Sequence, residues 1–333
     1  MNDHLATYIR TFLQDYLVLQ KGYSHHTVLS YRDTIKLLLQ FTAARKSMTV
    51  TDLTFEDLEP GLVTSFLGHL EETRGNAAST RNIRLACIHS FVSFVAERDP
   101  MAFEQCQRIL MVPFKRSTSA PVEYFEPQEM SAILEAAGSA HRNACRDHAL
   151  FLFMYTTGAR VQEAVDVRVD ALQLERPYQV RIVGKGNKPR ICPLWPATVK
   201  SLRALIEERR INGTPNACVF ANHRGQPLSR YGVRYLLAKY VHIAAESCPS
   251  LKRKRRIHPH CIRHTTAMHM LQSGGDINTI RASLGHVRLE TTNRYAEVDL
   301  TAKRKVLEKY SPGAGAPRLW KGHEKLLEWL ESL

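Results

Sequence analysis

The sequence predicts a mainly α-helical fold in two domains, with one small β-hairpin or sheet in the second. Three observations predict it. Apolar residues recur at three- and four-residue steps along most of the chain. A stretch with no period and three prolines, MVPFKRSTSAPVEYFEP (111–127), interrupts them. Two β-prone segments flank the glycines of YQVRIVGKGNKPRICPL. At 333 residues the chain is long enough for each domain to bury its own core.

The N-terminal elements come in order. In SHHTVLSYRDTIKLLLQF, Val28, Tyr31, Ile35, Leu38 and Phe41 form one apolar stripe, and Ser24 is placed to cap the helix. Leu58, Leu62, Phe66 and Leu70 mark a second helix. STRNIRLACIHSFVSFVAE is a third, expected to turn Ile83, Cys87, Ile88, Phe91 and Val95 inward. Arg81 and Arg84 at its start read equally well as phosphate contacts or as a solvated face. These elements make a helical domain over residues 1–110, with 111–125 as linker.

The second domain, 126–310, returns to helix in PQEMSAILEAA and in RDHALFLFMYTTGARVQEAVDV, the latter broken at Thr157-Gly158. The hairpin follows, with a tight glycine-dependent turn expected at Gly-Lys-Gly-Asn, and helices run on to about Tyr310. SPGAGAP (311–317) reads as a flexible break. WKGHEKLLEWLESL is an amphipathic tail helix that groups Leu326, Leu327, Leu330 and Leu333, within a terminal segment 311–333.

Composition narrows the function. Hydrophobic residues make up 44% and charged residues 23%, which excludes wholesale disorder. The longest apolar run, ALFLFMY, is too short to span a bilayer, and MNDHLATYIR lacks the pattern of a signal peptide. Seven scattered cysteines with no CxxC pair fit free thiols in a reducing cytoplasm. Lys and Arg number 46 against 32 Asp and Glu, a net charge of +14. Such an excess favours a polyanionic partner, because each neutralised phosphate releases condensed counterions.

Chemistry concentrates in the second domain. Arg160 follows the Thr-Gly break, Lys185 sits in the hairpin turn, His260 and Arg263 share a helix face, and His286 and Tyr295 come after Gly285. A zinc pair is one reading of His260 and His264 at i, i+4, but the glutamate of a helical metalloprotease site is replaced by Cys261 and no third ligand is evident. His264 is then a structural partner. A phosphate fits better. Two arginines grip nonbridging oxygens, a lysine protonates a leaving oxygen, histidines exchange protons, and a tyrosine attacks phosphorus once its proton is removed. That set performs phosphodiester transesterification without a metal, the arginines neutralising the transition state.

TTGARVQEA, VGKGNKPRICPL, HPHCIRHTTAMHML and SLGHVRLETTNRYAEV resemble, in this order, the signature boxes of the tyrosine recombinases of the phage-integrase type. Spacing agrees: His286 lies 23 positions after Arg263, and Tyr295 nine after His286. The N-terminal helices resemble that family's core-binding domain, so the resemblance covers about residues 5–310. Ala159 and Ile262 stand where leucine is frequent, and Cys261 intrudes beside His260. The resemblance implies a two-domain, C-shaped clamp around duplex DNA, a SAM-like core-binding domain followed by a catalytic domain. It implies that Tyr295 forms a 3′-phosphotyrosyl link, Arg160 and Arg263 clamp the phosphate and Lys185 protonates the 5′-oxygen. His260 acts as base, His286 supports the phosphate and Glu163 orients the site. No metal, ATP or nucleotide cofactor is expected.

The run LKRKRRIHPH adds Lys252, Arg253, Lys254, Arg255 and Arg256, read here as tracking the DNA backbone and alternatively as an import signal or a solvated cluster. The tail either docks into a neighbouring protomer, as in a tetramer of like or unlike subunits on paired sites, or packs on its own domain. The expected function is site-specific cutting and rejoining of DNA for a bacterial mobile element, in the cytoplasm on the nucleoid. A type IB topoisomerase-like enzyme, a DNA-binding regulator with an idle site and a metal hydrolase are the rivals.

Overall fold

A computed structural model of the chain describes residues 4–116, 122–139, 142–184 and 188–285. It divides into two compact units, Met1–Ala120 and Pro121–Leu333. Each has its own core.

The first unit is helical. Helix α1 (His4–Thr11) runs into a wider π-helical stretch, Phe12–Gln20, whose Phe12 and Leu17 are fully buried. Phe12 meets the rings of Phe91 and Phe94 at 5.3 Å, and those of Tyr16 and Tyr31 at 5.7 Å. Helix α2 (His25–Lys46) starts at the expected cap, where Ser24 Oγ accepts the Thr27 N–H. Helix α3 (Pro60–Glu72) places Pro60 in its first turn, where a missing N–H costs nothing, and buries Phe66 and Leu70. Helices α4 (Ala78–Ala96) and α5 (Phe103–Leu110) complete the bundle.

Two expectations for α4 are corrected. Ile83 is 57% exposed, because the buried stripe runs through Leu85, Ile88, Val92 and Val95, and Ile83 sits about 200° around the helix from Leu85. Arg81 belongs to that buried stripe. It is 8% exposed, and its Nη1 donates to the Pro113 carbonyl at 2.9 Å. Asn82 adds a reciprocal pair with the Lys115 backbone. Arg84 Nη1 donates to Thr34 Oγ1 at 2.8 Å, bridging α4 to α2. Arg81 is therefore an internal tie rather than a surface charge. The same bonds fasten residues 111–116 to the first unit, with Val112 in its core. Residues 122–125 belong to the second, where the Phe125 N–H donates to Thr265 Oγ1 at 2.8 Å. The expected linker is anchored at both ends.

The second unit is built around α7 (Ala144–Thr157), which packs against α6 (Pro127–Gly138), α9 (Pro196–Glu208) and α11 (His260–Gln272). The run ALFLFMY explains its place: Ala149, Leu150, Phe151, Phe153 and Met154 are all buried. Asp147, also buried, ion-pairs with Arg146 and accepts the Tyr240 hydroxyl at 2.6 Å, fixing α7 to α10 (Arg230–Ser247). After α7 come the short helix α8 (Val161–Val165) and a three-stranded antiparallel sheet, β1 (Leu172–Gln173), β2 (Gln179–Val183) and β3 (Pro189–Pro193), in the order β1-β2-β3. The hairpin is present with a third strand on its edge. Its strands pair as far as Val183 and Pro189, and Gly184 N–H donates to the Lys188 carbonyl; the expected tight turn falls on residues 185–187, outside the described residues. Helix α12 (Ile277–Leu284) packs on α11 through Met268, Ile280 and Leu284. Among the described residues no helix is long and apolar enough to cross a membrane.

Candidate active site

Helix ends build the site. Helix α7 stops at Gly158, whose φ of 57° lies in the left-handed region that glycine enters without strain. The chain turns there and delivers Arg160 to the N-cap of α8. A Cβ on Gly158 would run into the side chain of Leu284, so α12 closes directly over this turn. Helix α12 in turn ends at Gly285, φ 66°, which aims the chain toward His286.

Arg263 joins the two ends. It is 3% exposed on α11, and its Nη1 donates to the Gly158 carbonyl at 2.7 Å while Nη2 donates to the Leu284 carbonyl at 2.5 Å. The last carbonyls of a helix carry its negative dipole end, so these bonds suit a buried cation. One guanidinium thus fixes the turns that precede Arg160 and His286.

Arg160 is held by Glu163. The Glu163 carboxylate accepts the Arg160 backbone N–H at 2.9 Å and its Nη1 at 2.7 Å. This leaves the Arg160 side chain one-third exposed, anchored on one edge and open on the other. Arg190 on β3 gives the same carboxylate a third contact, Nη2 to Oε2 at 2.7 Å. Burial alone would raise the Glu163 carboxyl, but the bonds from Arg190 and Arg160 outweigh it and hold Glu163 below its ordinary range.

His260 opens α11 beside this cluster. Its outer edge is exposed while protein crowds the other side. Partial burial lowers its basicity, and the charges of His258, Arg263 and Arg160 lower it further against an opposing pull from Glu163. His260 therefore stays neutral and able to accept a proton near pH 7. His264 lies one turn on, its ring 6.4 Å from that of His260 and 6.5 Å from that of His258, more buried than His260. Among the described residues no three His, Cys, Asp or Glu side chains converge as metal ligands.

The structure thus brings together Arg160, Glu163, His260 and Arg263. Lys185, His286 and Tyr295 lie outside the described residues, as does the tail; Gly184 and Gly285, their neighbours in the chain, both border Arg190. Sequence reasoning missed Arg190. The available signal was strand alternation, since Arg190 falls on the same inward face of β3 as buried Cys192, and an inward arginine needs an anion.

The basic run divides. Lys252, Arg253, Arg255 and Arg256 are exposed. Lys254 is not a free surface charge: it pairs with buried Glu129 at 3.2 Å and donates to the Tyr124 carbonyl. Glu123 accepts the Arg256 backbone N–H at 2.8 Å, which pins the loop and leaves the outer side chains clear.

Residues 123–301 match the model of the phage integrase family, and residues 9–99 that family's N-terminal SAM-like domain. A putative integrase/recombinase of Sinorhizobium fredii is 36% identical over 99% of this chain and 98% of its own length. Tyrosine recombinase XerC of Staphylococcus carnosus is 31% identical over 90% of this chain and 95% of its own. Among solved structures, the XerH site-specific recombinase bound to a palindromic difH substrate, in a post-cleavage complex, superposes with a TM-score of 0.70. The identity is 18%, over 87% of this chain and 81% of that one. With a family model over more than half of its length and relatives above 30% identity along nearly all of it, the chain belongs to the phage integrase family, the tyrosine recombinases.

Proposed function

We propose that this chain cuts and rejoins duplex DNA through a 3′-phosphotyrosyl intermediate, with Tyr295 as nucleophile. The observation that carries this reading is the convergence of Arg160, Arg263 and neutral His260 around two helix ends, one of which leads directly to His286. His260 takes the phenolic proton as the Tyr295 oxygen attacks phosphorus. The P–O5′ bond breaks, Lys185 protonates the leaving 5′-oxygen, and His286 supports the transferring phosphate. Rejoining runs the same steps backward, with a 5′-hydroxyl attacking the phosphotyrosine. The bond energy stays in the tyrosyl link, so no external energy source is needed, and the two guanidiniums supply the charge neutralisation a divalent cation would otherwise give.

The partner on this reading is double-stranded DNA, contacted along its backbone by Lys252, Arg253, Arg255 and Arg256, and the working form is a tetramer on paired sites with the tail docked between protomers. The setting is a bacterial mobile element, in the cytoplasm on the nucleoid; the Sinorhizobium relative named an integrase/recombinase supports it.

A nicked suicide substrate tests the proposal. Wild type should trap a covalent protein–DNA adduct in the presence of chelator, and Tyr295→Phe should trap none. An absent wild-type adduct favours a DNA-binding regulator, and loss with chelator favours a metal hydrolase. Relaxation of supercoils without junctions between duplexes favours a topoisomerase-like enzyme.

A further inference from the structure

We propose that Arg190 is a positioning residue of this site, bracing the Glu163 carboxylate that aims Arg160 from a place close against the Gly285 turn. The inference rests on the strand-cutting reading above and assigns a role to a side chain that reading does not use.

Arg190 makes one ion pair and packs close to two glycines. Arg190 Nη2 lies 2.7 Å from Glu163 Oε2. A Cβ built on Gly285 would stand 3.3 Å from Arg190 Cδ and 3.5 Å from its Nη1. A Cβ on Gly184 would stand 3.5 Å from the same Nη1. Gly285 therefore lies close against Arg190, which would have to give way to a Cβ there, whereas a Cβ on Gly184 would make only ordinary contact. The side chain is 11% exposed, and its Nε has no hydrogen-bond partner among the described residues. Burying a cation with an unmet donor is costly, and a neutral residue would fill the space without that cost. What arginine supplies is a planar, permanently charged fork that fixes the Glu163 carboxylate.

The consequence for chemistry runs through Glu163. Both oxygens of that carboxylate are engaged, one by Arg160 Nη1 and the other by Arg190 and the Arg160 N–H. Without Arg190, Oε2 loses its charged partner and the carboxylate is held by Arg160 alone, so it no longer fixes Arg160 against the rest of the site. The groups facing Glu163 are Arg160 on its own helix, Arg190 and Cys192 on β3, and His260 and Arg263 on α11. Of these Arg190 is the strongest opponent of burial.

Full-length Arg190→Gln and Arg190→Lys, compared with wild type on the suicide substrate, test this by single-turnover adduct formation and by gel-shift affinity. Arg190→Gln should lower the cleavage rate by on the order of 100-fold, the scale of a misplacement near 1 Å, with DNA affinity unchanged. Arg190→Lys, which keeps a cation toward Glu163 Oε2, should recover part of the lost rate. A folded Arg190→Gln with wild-type rate overturns the proposal, as does a loss that only tracks the folded fraction in thermal melts. If Arg190→Gln does not fold, Arg190→Lys decides: a reduced rate with intact affinity supports the brace, and a wild-type rate overturns it. Wild-type adduct is the control, and its absence removes the strand-cutting reading instead.

Discussion

His260 shows how one residue's surroundings set its use. The ordinary imidazole value is 6.5, and burial with three nearby cations lowers it in the folded protein. A lowered value means the ring is half-protonated only below pH 6.5, so the neutral acceptor predominates in the neutral range. Single-turnover adduct formation by wild type should therefore reach its half-maximal point below pH 6.5, a profile read by quenched-flow assay. A half-maximal point above 6.5 would remove His260 as the base. Stability follows the same sign: below 6.5 the unfolded chain binds the proton that the folded one resists, so this group weakens folding in acid and is without effect above. Arg160, Arg263, Glu163 and His260 were legible in the sequence because the boxes carry them. Arg81 and Lys254 were misjudged because charge reads as surface until a distant acceptor folds against it, Pro113 in one case and Glu129 in the other.

At the level of elements, the site depends on where helices stop. Gly158→Ala should test this sharply. The new methyl would be strained in the left-handed region and would displace Leu284, whose carbonyl holds Arg263. We expect a loss of more than about 1 kcal/mol in thermal or denaturant unfolding, together with a cleavage rate reduced at least tenfold. Gly213→Ala is the matched control, with a φ of 76° and open space where the Cβ would stand; it should cost about 1–2 kcal/mol and leave cleavage intact. Equal cleavage by the two variants would show that the closure of α12 over the Gly158 turn does not matter to the site. The Thr-Gly break was visible as punctuation in the sequence, but that Leu284 would cover it was not. The third strand, β1, was likewise hidden, because a two-residue strand is too short to show a period of its own.

For the whole molecule the governing quantity is the net charge of +14. If Lys252, Arg253, Arg255 and Arg256 track phosphates, replacing all four by alanine should weaken binding alike for every DNA sequence. It should also flatten the slope of log affinity against log salt by about 0.9 for each phosphate no longer neutralised, as measured by fluorescence anisotropy. Lys254→Ala should leave the slope alone and lower the melting temperature instead, since it strips buried Glu129 of its cation. An unchanged slope in the quadruple variant would leave the run as a solvated cluster. The sequence by itself determined the helical class, the division into two units, the order of the boxes and the large positive charge, because these follow from periodicity, composition and spacing along one chain. Only the tertiary structure decided which cations are spent inside the fold, which inward strand residue braces Glu163, and which helix ends meet. A charge is silent about its partner until the chain brings two remote segments within hydrogen-bond reach.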